Sequence, residues 1–173
     1  YKMVPPFCLD CWKVVVKPRK HSELIKLRNM MRVMATEDPN VWCKCGIELR
    51  SYVPGLYGGY FYTDSKEAGL TRLEQGRERI NNEILLQHEK DRIPVYLKRY
   101  CTEFEKELGD SGKYESPEHA EQVERFYLEH LEKRDFSAGQ PAIIKMEVYN
   151  GWIDFGWKFG TPEDRKEIED TYN

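Results

Sequence analysis

"FCLDCWKVVV" runs from Phe7 to Val16, and "NVWCKCGIEL" from Asn40 to Leu49. Each sets a close cysteine pair ahead of a strand-like stretch. Residues 12–17, "WKVVVK", predict a strand, because β-branched valines following an aromatic suit a pleated, half-buried surface. Pro18 ends it. Residues 47–53, "IELRSYV", alternate apolar and polar side chains and predict a second strand, which Pro54 ends.

Outward from these strands the pattern turns helical. Ser22 is suited to cap a helix in which Leu24, Leu27, Met31 and Met34 share one stripe, and Pro39 stops it. "PGLYGGYFYTDS" reads as a loop. Asp64, with Glu67 three residues on, forms a capping-box pattern for a helix carrying Leu70, Leu73, Ile80 and Ile84 out to about His88. Pro94 suits the first turn of another, with Leu97, Cys101, Phe104 and Leu108 inward and Gly109 as its stop. Ser116 and Pro117 start a helix with Val123, Tyr127 and Leu131 inward; Thr161 and Pro162 start a short last one.

Asn150-Gly151 sits at the centre of "IIKMEVYNGWIDFGWKF". That dipeptide accepts the positive φ angles of a type I′ turn, so residues 142–159 predict a β-hairpin. In that register Tyr149 faces Trp152 and Glu147 faces Asp154, on the side away from Ile144, Met146, Val148, Ile153, Phe155 and Trp157. An outward Tyr149–Trp152 pair is a candidate interaction patch. The Glu147–Asp154 pair is weighed as a hard-cation or acid–base site, without a third group to complete it.

The fold class that follows is α+β. A small antiparallel or mixed sheet, including the hairpin, packs with four or five helices. At 173 residues the chain is expected to form a single domain, 1–173, with a cysteine-rich basic part over 1–60 and a helical part over 61–173. No apolar run approaches the roughly 20 residues of a membrane span. The reading is of an intracellular, cytoplasmic protein. The sequence begins at Tyr1 rather than Met, which is compatible with a removed leader.

Chemistry is expected at the cysteines. Cys8 and Cys11 are spaced C-x2-C, and Cys43 and Cys45 C-x-C. Two short pairs from separate segments can wrap a tetrahedral ion and pin the roots of both strands. Structural zinc is the preferred occupant, with an iron–sulfur cluster as the alternative. A redox disulfide or inert buried thiols are the competing readings. Cys101, alone on an apolar stripe, is read as core.

Charge is uneven. Residues 1–60 carry 10 Lys and Arg against 5 Asp and Glu, whereas the rest carries 17 against 25. The overall charge of −3 gives the whole chain no strong reason to seek nucleic acid. Lys17, Arg19 and Lys20 are candidates for a polyanion or protein contact, and Tyr52, Tyr57 and Tyr60 for stacking surfaces, with nothing in the sequence placing them on one face. The favoured function is a metal-binding accessory module contacting a protein or polyanion. The alternative is an enzyme, using an iron–sulfur cluster or a small-ligand pocket in the "YGGYFY" loop. No nucleophile–base pair or cofactor fingerprint stands out, so enzymatic activity is undecided at this level.

Overall fold

The computed structural model describes residues 4, 6–84, 93–115, 117–130 and 140–172. A short helix α1 (Pro6–Leu9) leads into strand β1 (Trp12–Val16), helix α2 (His21–Glu37) and strands β2 (Trp42–Ile47) and β3 (Tyr57–Thr63). Helix α3 (Lys66–Glu83), strand β4 (Val95–Arg99) and helix α4 (Thr102–Leu108) follow, then a 3-10 turn (Ser111–Lys113). Helices α5 (Ala120–His130), α6 (Ala142–Phe159) and α7 (Pro162–Tyr172) complete the described elements. No helix among the described residues is long and apolar enough to cross a membrane.

The four strands form one antiparallel sheet in the order β2-β3-β1-β4. The sheet therefore contains no parallel pairing. Chain order β1-α2-β2-β3-α3-β4 with this strand order is the split β-α-β arrangement. Strand alternation gives each face its own chemistry. Cys43, Phe61, Val14 and Leu97 stand in one row across the sheet, and Cys45, Gly59, Val16 and Val95 in the next. These rows meet Leu27, Met30, Met31 and Met34 of α2 and Leu73 and Ile80 of α3 in the main core. Fully burying one such side chain contributes about 1.5–3 kcal/mol.

Tyr57 to Thr63, expected as part of a loop, is instead the strand between β2 and β1. Its glycines have a packing reason. A Cβ on Gly59 would lie 2.5 Å from Leu27 Cδ2 and 2.9 Å from Met31 Cε, so the missing side chain is what lets α2 approach. The second strand starts earlier than expected. It spans Trp42–Ile47 and carries both cysteines within it, whereas residues 48–53 turn away. The stretch after Pro94 is a strand before it is a helix, and Cys101 is the N-cap of α4, half-buried rather than enclosed in a helix stripe.

Helix ends also differ in detail. Ser65 rather than Asp64 caps α3, its hydroxyl accepting from Ala68 N–H at 3.2 Å. The N-cap of α2 is Lys20, two residues before Ser22. The first-turn amide of His21 donates to the Asp164 carboxylate, 143 residues away, at 2.8 Å. Thr161 and Pro162 start α7 as expected, with Thr161 Oγ1 accepting from Asp164 N–H at 3.1 Å. Ser116, Leu131 and the stretch expected to continue α3 to His88 lie outside the described residues.

The largest correction concerns the hairpin. Residues 142–159 form one continuous helix through Asn150 and Gly151. Glu147 and Asp154 are therefore not cross-strand partners. Ile144, Val148, Trp152, Phe155 and Phe159 also recur at three- and four-residue spacing, which is a helical period. Trp152, 8% exposed, and Phe155 pack with Leu24 and Tyr57 in a second core cluster. Tyr149 and Trp152 do adjoin, at 5.5 Å between ring centroids, but as neighbours on one helix. Tyr149 lies beneath the Arg28 guanidinium, 5.1 Å from its ring centroid, and Trp152 stands beside Gly46 of β2. The expected outward aromatic pair is thus turned into the chain's own packing.

Candidate polyanion-binding face

The sheet face opposite α2 and α3 has a different composition. Trp42, Tyr62, Lys13 and Lys98 form one row across its four strands, and Lys44, Tyr60, Val15 and Tyr96 the next. Aromatics and lysines thus interleave on this face, where Trp42 (75% exposed) and Tyr96 (41%) on the edge strands are open to solvent and Lys13 and Val15 on the central strand β1 are buried. Three ammonium groups surround the Tyr60 ring. Lys13 Nζ lies 5.4 Å from its centroid, Lys44 Nζ 5.9 Å and Lys17 Nζ 6.0 Å, and Lys44 Nζ is also 5.4 Å from the Tyr62 centroid. These are cation–π distances.

Some cations on this face are already neutralised. Glu48 holds Arg50 through a two-point fork, Nε to Oε1 and Nη2 to Oε2, each at 2.6 Å, and Glu103 pairs with the same guanidinium. Lys98 pairs with Glu105 and donates to Thr102 Oγ1 at 3.0 Å. Lys13, Lys17 and Lys44 make no ion pair with any described carboxylate. Lys17 Nζ is buried and has no hydrogen-bond partner among the described residues. Burial pulls the pKa of Lys13 and of Lys17 down, and the nearby Cys101 and Glu48, respectively, oppose it. Burial, with Glu48 next to it, pushes the Tyr60 phenol up to about 12, so it stays neutral. An anion entering here would meet lysines without ion-pair partners among the described residues, beside stacking rings, with Glu48 and Glu103 as the nearby negative charges.

The basic residues singled out in sequence therefore part company. Lys17 belongs to this face. Arg19 instead pairs with Glu23 at 2.6 Å, and Lys20 caps α2. Tyr60 joins the face, Tyr57 is buried on the other side, and Tyr52 lies beneath Lys106, 4.2 Å from its ring centroid. Lys13, Lys44, Trp42, Tyr62 and Tyr96 were not singled out as site residues. The signal for Trp42, Lys44 and Tyr62 was the two-residue alternation within "WCKCGI" and "YFY", which carries meaning only once both are strands.

The cysteines stand in two places. Cys43 and Cys45 point into the helix-covered face at the β2 edge, and the Cys43 thiol approaches Met31 O at 3.9 Å. Cys11 precedes β1, which is separated from β2 by β3, a span of about 10 Å across the sheet. The neighbour of Cys8 and Cys11 is Cys101, whose following helix starts where Tyr100 N–H donates to Cys11 O at 3.1 Å. All five cysteines are free thiols. Burial raises the Cys8 thiol to about 11 and the Cys45 thiol to about 12. Among the described residues no three His, Cys, Asp or Glu side chains are grouped to hold a metal ion. The four-sulfur donor set expected from the spacing, for zinc or an iron–sulfur cluster, is not shown among the described residues.

Comparison with known proteins gives no match: no family model, no curated protein and no solved structure is significantly similar to this chain.

Proposed function

We propose that the chain is a binding module whose sheet face opposite α2 and α3 takes a single-stranded nucleic acid. The observation that carries this reading is the two-row face of Trp42, Tyr60, Tyr62 and Tyr96 interleaved with Lys13 and Lys44, with Lys17 Nζ reaching over Tyr60. Unpaired bases stack on aromatic rings at about 1–3 kcal/mol each, and lysines track the phosphates. A four-stranded sheet with aromatics on its central strands is one recurrent way to hold single-stranded RNA, an analogy of architecture rather than of descent. The basic balance of residues 1–60, within an acidic chain, is concentrated in part on this face.

Titration of the whole chain with a short oligothymidylate or oligouridylate, followed by tryptophan emission, tests the reading. Trp42 emission is expected to be quenched, and affinity to fall with salt at a log–log slope of about −0.7 per phosphate contacted. Tyr60→Ala with Tyr62→Ala should weaken binding about tenfold or more. A duplex binding as tightly as the single strand, or an affinity unmoved by the tyrosine substitutions, rejects the reading.

A further inference from the structure

A cleft of about 540 Å³ lies between α2, the β2 edge and α6. Its cations come from the two helices, Arg28 and Arg32 from α2 and Lys145 from α6, while Lys44 of β2 borders it with its ammonium over Tyr60 and Tyr62 on the other sheet face. Among the described residues no carboxylate lines it. Arg28 and Arg32 are one helical turn apart, a like-charge spacing that is destabilising in an empty site. Arg28 spends one N–H on Asn29 Oδ1 at 3.0 Å. Arg32 and Lys145 form no ion pair among the described residues. The cleft wall also holds Cys43 and Cys45, whose pKa values burial raises, so these thiols stay protonated and bring no negative charge. Tyr149 and Trp152 close the α6 side with ring faces and edges.

We propose that this cleft is a phosphate site, gripping a phosphate group between the Arg28–Arg32 pair and Lys145. Guanidinium forks match phosphate oxygens in two-point fashion, and a lysine adds a mobile point charge. The volume suits a mononucleotide. Lys44 borders both this cleft and the sheet face opposite α2 and α3, so a strand lying on that face has a continuous basic route over the β2 edge into it. The phosphate therefore belongs either to a small nucleotide or to the backbone of a bound strand. The cleft stands on its own residues and does not depend on Tyr60 or Tyr62.

Isothermal titration of the whole chain with adenosine monophosphate, and separately with an oligothymidylate lacking a terminal phosphate, tests the proposal. The variants are Arg28→Gln with Arg32→Gln, Lys145→Gln, and Tyr60→Ala with Tyr62→Ala. Adenosine monophosphate is expected to bind with Kd at or below about 1 mM. The arginine pair should weaken it about tenfold or more, Lys145→Gln should weaken it less, and the tyrosine pair should leave it unchanged. If the mononucleotide does not bind but the arginine pair lowers oligonucleotide affinity and reduces the salt slope by about 1, the phosphate is supplied by the strand backbone. Lys145 is exposed on α6, so its variant keeps the test readable if the arginine pair perturbs folding. The proposal is overturned if neither probe binds, or if all the cleft variants leave both affinities unchanged.

Discussion

Tyr57 Oη donates to Asp164 Oδ2 at 2.7 Å, while the other oxygen of that carboxylate accepts from the His21 backbone N–H at 2.8 Å. Asp164 has no exposed surface. One buried side chain therefore ties the last helix to strand β3 and to the first turn of α2. Such an N-terminal turn has amides without partners inside the helix, and an acceptor from a distant segment serves as well as a neighbouring cap.

Replacing that acceptor leaves two buried donors without partners, at roughly 1–3 kcal/mol each. Asp164→Ala is accordingly expected to lower unfolding free energy by about 2–5 kcal/mol. Tyr57→Phe, which removes one donor and leaves the His21 bond, should cost about 1 kcal/mol. Urea denaturation of both single variants and the double variant checks this. Strict additivity of the two would show that the Tyr57–Asp164 bond contributes nothing to stability.

His21 supplies a pH dependence. Burial holds its pKa below the ordinary 6.5, with Asp164 opposing. Below that value the unfolded chain binds a proton that the folded chain refuses. Stability should therefore fall as pH drops through about 6.5, before carboxylates such as Glu48, held down by Arg50, begin to protonate. Thermal melts between pH 7.5 and 5.5, scanned in steps of about half a unit around the histidine range, should show a falling Tm. His21→Gln should flatten that segment of the curve. A slope that persists in the variant assigns the proton to another group.

The separation of the cysteines predicts their energetics. One ion shared by four sulfurs would make Cys8→Ser and Cys43→Ser equivalent, each releasing the metal and the second adding nothing. With Cys8 beside Cys101 and Cys43 against α2, the two substitutions should add to within about 0.5 kcal/mol. Cys45, its pKa raised to about 12, should resist alkylation in the folded chain at mildly alkaline pH and react once urea unfolds it. Mass spectrometry of alkylated peptides reads this out. Strong non-additivity between Cys8 and Cys43 would restore the shared-ion reading.

The places where sequence reading failed share a physical cause. Trp12 to Val16 was legible because consecutive β-branched residues have few other uses. Helix α2 was legible from its leucine and methionine stripe. "YGGYFYT" was not, because glycine signals a turn locally, yet Gly59 is small here to admit Leu27 and Met31 from another element. "YNGW" was not, because Asn-Gly prefers a turn only when no neighbour rewards a helix, and Trp152 and Phe155 are rewarded by Leu24 and Tyr57. The aromatic–basic face depended on a different pair of readings. Its residues come from four strands, one of which had been read as a loop and one as a helix.

Three glycines test this account through the sign and order of their alanine substitutions. Gly76 lies inside α3 with nothing within 4 Å of a Cβ placed there, so Gly76→Ala adds helix propensity without a clash and should stabilise by about 0.5–1 kcal/mol. At Gly59 the new methyl meets Leu27 Cδ2 at 2.5 Å and Met31 Cε at 2.9 Å, which are the ends of side chains that can turn aside. Gly59→Ala should therefore cost about 1–2 kcal/mol through displaced core packing. Gly160 joins α6 to α7, and its Cβ would stand 2.3 Å from the Gly156 backbone oxygen and 3.1 Å from Asp164 Cβ. Backbone cannot rotate away as a methyl can, so Gly160→Ala must shift α7 and strain the Asp164 bonds to Tyr57 and His21. It should be the most damaging of the three, at about 3 kcal/mol or more. Unfolding free energies from urea titrations order the set, and Gly160→Ala proving milder than Gly59→Ala would mean that the α6–α7 junction is looser than its contacts require.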